Sequence, residues 1–422
     1  MKNIDWKTEA AAGVTTFFTM AYIIVVNPAI LASPGTGMSF SGVMTATVLL
    51  SFVMTLLMGL YAKLPFAVAP GMGINAFFAF TIIQGQGVPW PQALGIIFWA
   101  GALFVAVSVT PVREAIAEAV PPGLRAAAAV GIGIFLTFIG LRNAGLVVAD
   151  PATLVKLGPL DARSLLSLAG LALMVRMLGK KNPLAFLAGM GAVTAAGWMM
   201  GHVKPPETLF SRPDFSSVFL KLDIRGALRL SLLPSIVSIF FTDLFDSIST
   251  FIGVSQACGM LDAQGRPRNL KQGLIVDALA TLGAGLFGTS SGTAFIESAA
   301  GIEAGGRTGL TSVFTALCFL PCFFLAPLAA MVPSYATAPV LILVGAMMFR
   351  SVKSLTLASL EDAVPAFLTI VLIPLTFSIT QGILWGFASH VALYALAGRA
   401  REIRPLLWAL AAISAGLLWM HP

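Results

Sequence analysis

Residues 10–62 read AAAGVTTFFTMAYIIVVNPAILASPGTGMSFSGVMTATVLLSFVMTLLMGLYA, 53 residues without one Asp, Glu, Lys or Arg. A helix that spans a bilayer needs about 20 apolar residues. The stretch therefore holds two crossings, near 10–32 and 39–62. A second charge-free run of 49 residues, between Lys63 and Arg113, holds two more. Of the 422 residues, 58% are hydrophobic and 10% charged, against about 25% charged in soluble domains. That balance excludes a soluble enzyme, a nucleic-acid-binding protein and a disordered chain. The expected fold class is an all-α polytopic membrane protein.

Apolar runs broken by charge and Gly/Pro clusters place further spans near 66–83, 91–111, 124–141, 164–179 and 183–201. After a polar stretch at 202–229 come spans near 231–256, 271–287, 289–302, 309–332, 337–349, 365–379 and 383–397. One more apolar segment, 406–420, closes the chain. Phe17-Phe18-Thr19 in span 1 recurs as Phe240-Phe241-Thr242 in span 8, an offset of 223 residues that also lays spans 2–4 over spans 9–11. It sets Asn75 opposite Ser298, next to Glu297. Seven is an odd number of spans, so the second copy enters the membrane from the opposite side. The expected domains are a first seven-span repeat (1–201), an extramembrane loop (202–229), a second, inverted repeat (230–397) and a tail (398–422) with its extra apolar segment.

With the N-terminus inside, 17 of the 25 Lys and Arg residues fall in inward-facing segments, Lys2, Arg113 and Arg266 among them. Five of the remaining eight lie in the long 202–229 stretch, and long loops obey the positive-inside rule poorly. The net charge of +7 therefore reads as membrane topology. The three cysteines, Cys258, Cys318 and Cys322, lie in apolar stretches and form no disulfide framework, and His202, His390 and His421 belong to no metal motif. No metal and no cofactor are expected.

Spans 3 and 10 are short and unlike the others. Span 3 carries Ala69-Pro70-Gly71-Met72-Gly73-Ile74-Asn75-Ala76-Phe77-Phe78; span 10 carries Gly288-Thr289-Ser290-Ser291-Gly292-Thr293-Ala294-Phe295-Ile296-Glu297-Ser298. Broken backbone at membrane depth is tolerated only where protein or a cavity surrounds it. A matched pair of such segments in two halves points to a transporter site.

Three acids lie deep in apolar sequence: Asp243 and Asp246 in span 8, and Glu297 in span 10. An ionised carboxylate at bilayer depth costs about 2.5–3.5 kcal/mol even on the insertion scale. These groups must face a wet cavity, find partners or stay protonated, which suits a proton carrier. The spacing of Asp243 and Asp246 puts them on one helical face. Asp243, at the repeat point, is assigned to the cavity and the proton, and Asp246 to the broken-span backbone. Glu297 and Asn75 can hydrogen-bond a ligand, and Phe245, Phe295, Phe77 and Phe78 can stack on a planar ring. Asp277 and Glu303, nearer span ends, read as structural. Gly305-Gly306-Arg307-Thr308-Gly309 lacks the ending of a phosphate loop and reads as a cytoplasmic turn.

Thr15–Tyr22 with Val26-Asn27-Pro28 resembles the opening of the azaguanine-resistance-type purine permeases, of the xanthine–uracil and nucleobase–ascorbate permease group. Ala69–Phe78, Asp243–Ser247, Glu297–Gly301, Gly305–Leu310, Ala336–Pro339 and Pro365–Thr369 continue the likeness, which runs from about residue 9 to 397. The resemblance implies fourteen spans in two inverted repeats. Spans 1–4 and 8–11 would form a core domain and spans 5–7 and 12–14 a gate domain, with a short strand in each of the broken spans 3 and 10. It implies proton-coupled uptake of hypoxanthine, guanine or adenine across a bacterial inner membrane. Asn75, Asp243, Phe245 and Glu297 would bind substrate, and Asp243, Asp246 and Glu297 would serve coupling. Ser249 stands where such permeases usually have Gly. The partners implied are a purine nucleobase, a proton and the bilayer, with no nucleic acid; a homodimer is left open.

Three other classes compete. An anion transporter or exchanger of the same fold is opposed by three deep acids without a deep Arg or Lys. An intramembrane aspartyl protease needs carboxylates face to face, not three apart on one helix. A passive channel would not give saturable uptake that a protonophore abolishes.

Overall fold

A computed structural model describes residues 5–110, 119–261, 267–355 and 357–420. Lys2, Arg113, Arg266 and His421 lie outside the described residues. Each expected apolar run appears as a helical element. Spans 1 to 7 are Trp6–Leu31, Phe40–Ala62, Met72–Gly85, Trp90–Val109, Pro122–Asn143, Ala162–Gly179 and Ala185–Met199. Spans 8 and 9 are Leu233–Ala257 and Leu270–Phe287. The helix of span 10 is Ser298–Glu303 and span 11 is Gly309–Phe324. Spans 12 to 14 are Ser334–Phe349, Leu360–Leu375 and Ile379–Leu396. Among the described residues, nine helices are long and apolar enough to cross a membrane.

Four short strands accompany them: β1 (Val68–Pro70), β2 (Val147–Asp150), β3 (Leu154–Leu157) and β4 (Gly292–Ala294). β2 and β3 form a hairpin between spans 5 and 6. β1 and β4, each leading into the helix of a broken span, pair antiparallel with Val68 opposite Ala294 and Pro70 opposite Gly292.

The helices sort into two packed groups. Span 1 packs on span 11 and span 8 on span 4; span 2 packs on spans 9 and 11, and span 4 on span 9. In the other group span 5 packs on spans 12 and 13, span 12 on span 6, and spans 6 and 13 on their neighbours 7 and 14. Exchanging each span for its partner seven places on turns this set of contacts into itself, which is the mark of an internal repeat.

Local chemistry pins the ends. Glu9, buried in the first turn of span 1, accepts hydrogen bonds from Arg307 N and Thr311 N, each at 3.2 Å, and from the Thr311 hydroxyl. The Gly305–Gly309 turn thus closes span 11 onto span 1. Spans 2 and 11 cross at Gly59 and Gly309, where a Cβ on Gly309 would lie 2.0 Å from the Gly59 carbonyl oxygen. The polar 202–229 stretch lies over the outer ends of spans 2, 4 and 9. Asp214 Oδ2 accepts from Ser41 at 3.0 Å, and the Asp223 and Leu220 amides each donate over 2.8 Å to the carbonyls of Pro91 and Leu286. The last helix, Pro405–Met420, carries no charge and packs along span 14 through Leu407, Leu410, Ala411, Ser414 and Leu417.

Candidate functional site

The paired strands leave broken-span backbone at the centre of the molecule, where unpaired polar groups would be costly. Side chains supply the remaining partners. Thr55 Oγ1 accepts from Val68 N at 2.9 Å, Thr281 Oγ1 lies 3.0 Å from Gly292 O, and Ser298 Oγ accepts from Ala67 N at 3.0 Å. Asn75 Oδ1 accepts from the Ser290 hydroxyl. The last two contacts are related by the repeat: the 223-residue offset carries Asn75 to Ser298 and Ala67 to Ser290.

Beside the strand crossing is a cavity of about 540 Å³ between the two helix groups. One wall is Tyr22, Gly71–Ile74, Thr242, Phe245, Asp246, Ser249 and Thr293–Glu297; the other comes from spans 5, 12, 13 and 14, including Arg125, Ile132, Met348, Thr369 and Phe387. Phe241 stacks on Phe245 at 5.7 Å and meets Phe387 edge-on at 5.7 Å, so an aromatic cluster bridges the two groups. In the orientation given by the loop charges, Val120–Ala129 and Met347–Ser354 lie at the cytoplasmic ends of spans 5 and 12. The cavity lining reaches both of these ends. Toward the outside, the Thr81 hydroxyl donates to the Phe377 carbonyl, and the Phe377 ring packs edge-on against Phe135 at 5.2 Å and Phe138 at 5.4 Å. That contact joins span 3 to the turn between spans 13 and 14.

Glu297, Phe245 and Asp246 stand on the cavity wall, with Asp246 and Glu297 partly exposed to it. Glu297 Oε1 accepts from the Tyr22 hydroxyl at 2.7 Å. Asp243 and Asn75 do not line the cavity; both are fully buried behind the strands. The expectation set Asp243 toward the cavity and Asp246 on the broken-span backbone; the structure puts Asp246 on the cavity wall and Asp243 behind it. Asp246 faces the cavity, whereas Asp243 Oδ2 accepts from the Thr281 hydroxyl and from Ser291 Oγ at 2.8 Å, bracing the segment before β4. Phe77 and Phe78 are packed in the interior, while Phe295 lines the cavity.

Four participants escaped sequence reasoning. Asp277 is fully buried and accepts from the Ser247 hydroxyl, which lies 3.3 Å from Thr293 Oγ1. It therefore joins the polar network behind the cavity wall. Its spacing with Thr281, one turn apart on span 9, is the signal that could have found it. Arg125, at the start of span 5, stands in the wall of the cavity. Tyr22 and Phe387 were indistinguishable in sequence from packing aromatics. Among the described residues no cluster of His, Cys, Asp and Glu is placed to hold a metal ion.

Residues 7–384 match the profile of a permease family that includes xanthine and uracil permeases. The adenine permease AdeP of Escherichia coli is 41% identical over 400 residues, covering 94% of this chain and 89% of the relative. The guanine/hypoxanthine permease PbuO of Bacillus subtilis is 40% identical over 409 residues, covering 95% and 94%. Among solved structures, the transmembrane domain of the cyanobacterial bicarbonate transporter BicA aligns with a TM-score of 0.68 at 16% identity, covering 92% of this chain and 98% of that one. The fold is that of fourteen-span inverted-repeat transporters.

Proposed function

Because the chain belongs to the xanthine/uracil permease family, we propose that it takes up purine nucleobases by proton symport, its gate and core domains exposing the cavity alternately to either side. The chain is a multi-pass membrane permease. The observation that carries the finer reading is the single cavity wall that presents Glu297, Asp246 and Phe245 together. A purine is a flat ring with N–H donors on its edge. An aromatic ring can cover its face and a carboxylate can accept from its edge, charge-assisted bonds being about twice as strong as neutral ones.

Glu297 is the acceptor for the purine edge in this reading and Phe245 the stacking surface. Asp246 exchanges the proton with the open cavity, and Asp277 and Asp243 form the polar network behind it. Asp243 and Asn75 hold the strand crossing, so their influence on substrate passes through β1 and β4. The Thr81–Phe377 contact closes the outer side while the cavity is open to the cytoplasm; the other half of the cycle would open that contact and bring span 5 against the strand crossing.

Arg125 in the wall is the one observation that favours an anion transporter of the same fold. The acids Asp246 and Glu297 on the facing wall oppose a resident anion. The deciding experiment is uptake of radiolabelled hypoxanthine into proteoliposomes, with unlabelled hypoxanthine, guanine, adenine, xanthine, bicarbonate and sulfate as competitors. The reading requires competition by purines and none by the inorganic anions. Absence of hypoxanthine uptake, with uptake of labelled bicarbonate or sulfate by the same proteoliposomes, would establish the anion reading instead.

A further inference from the structure

Span 1 is not one continuous α-helix: its regular ladder stops at Met20 and resumes at Ile23, leaving Ala21 and Tyr22 in a turn at the middle of the span. That break aims Tyr22 at Glu297, with a hydroxyl-to-carboxylate distance of 2.7 Å. One turn earlier, Thr19 Oγ1 lies 3.4 Å from the Glu297 carbonyl oxygen. A single short segment of span 1 thus touches both the backbone and the carboxylate of Glu297. The Tyr22 ring, almost wholly buried, packs at 4.7 Å and 54° against Phe186 in the first turn of span 7. Span 1 belongs to the core group and span 7 to the gate group, so Tyr22 is wedged between the domains with its hydroxyl on the binding acid.

We propose that Tyr22 is a positioning residue for purine recognition, and that its seat on Phe186 makes the aim of Glu297 depend on where the gate domain stands. This rests on the reading of Glu297 as the purine's acceptor. A glutamate carboxylate on three rotatable bonds samples many orientations; a phenol fixed at both ends selects one. The Tyr22 hydroxyl engages Oε1 and leaves Oε2 for the ligand. When the gate shifts and Phe186 withdraws, the phenol loses its backing and the carboxylate its fixed direction. Substrate would then be held firmly in one arrangement of the domains and loosely in the next.

The test is equilibrium binding of hypoxanthine, guanine and adenine to purified protein carrying Tyr22→Phe, Phe186→Ala, Glu297→Gln or the pairwise combinations, alongside thermal midpoints. Tyr22→Phe keeps the ring on Phe186 and removes only the hydroxyl. Binding should weaken about tenfold, the scale of one hydrogen bond to a charged group, with the thermal midpoint unchanged. Added to Glu297→Gln it should cause no further loss, because the carboxylate it positions is gone. Phe186→Ala should also weaken binding, and should do nothing more once Tyr22→Phe is present. Tyr22→Phe binding within twofold of the parent, or more tightly, while Glu297→Gln binds weakly, would overturn the proposal and leave the Glu297 reading intact. Unchanged binding by Glu297→Gln would instead overturn that reading, and the proposal with it.

Discussion

Replacing Glu297 by Gln probes the proposed substrate acceptor with almost no change of volume. In the structure one carboxylate oxygen accepts from Tyr22 at 2.7 Å, and the residue stays partly exposed to the cavity. The amide has two ways to sit. It can keep its oxygen on Tyr22, in which case its NH2 faces the purine edge as donor against donor. It can turn its oxygen to the purine, in which case the NH2 meets the Tyr22 hydroxyl, which must reverse its own hydrogen bond. Either way at least one charge-assisted bond to the ligand becomes a neutral bond or a mismatch. Hydrogen bonds to charged groups are worth about 1.5–3 kcal/mol, so affinity should fall roughly 10- to 150-fold. The assay is titration of purified protein with hypoxanthine and adenine, with the thermal midpoint as a control for folding. Affinity within a factor of two of the parent, at equal stability, would refute the assignment of Glu297 to the substrate.

Asp246→Asn should bind purine and exchange labelled for unlabelled purine across a membrane, yet fail to accumulate it against a gradient; accumulation at the parent's level would remove Asp246 from coupling. Asn75→Ala leaves the Ser290 hydroxyl without its partner and should weaken hypoxanthine, guanine and adenine alike in binding titrations. A changed ranking among the three would place Asn75 at the ligand instead. Gly309→Ala puts a methyl 2.0 Å from the Gly59 carbonyl oxygen, and since backbone cannot give way it should cost at least the 1–3 kcal/mol or so of ordinary overpacking, read as a lower thermal midpoint in detergent. An unchanged midpoint would mean that the crossing of spans 2 and 11 is looser than described.

Charge-free runs and Gly/Pro breaks carried the architecture because a bilayer imposes length and apolarity on every crossing, and both can be read residue by residue. The short strands of spans 3 and 10 were implied by the family resemblance alone, and their antiparallel meeting at Ala69 and Thr293 lies in segments too short for any propensity to reveal. The order of the two aspartates was not legible. On span 8, Thr242, Asp246, Ser249 and Gly253 follow one helical stripe, and Asp243, Ser247, Thr250 and Val254 follow the next. Both stripes begin with polar residues, so periodicity finds two candidate faces without saying which one meets the cavity. That choice is made by span 9, whose Thr281 and Asp277 bond to Asp243 and Ser247 and draw the second stripe inward. Arg125 could be placed only at the inner start of span 5, because nothing in the sequence says which face of that helix meets the cavity. Tyr22 gave no signal at all, since its role depends on residues 164 and 275 positions away in the chain.

The central claim is that purine movement is tied to proton movement through this one cavity. Its most direct measurement is radiolabelled hypoxanthine or adenine uptake into proteoliposomes of the purified parent protein, with the outside buffer one pH unit more acidic than the lumen. The account predicts accumulation above the external concentration, collapse to equilibrium on adding a protonophore, and alkaline-to-acid movement of the lumen that begins only when purine is added. Uptake that stops at equal concentrations inside and outside, with or without the pH gradient, would contradict it.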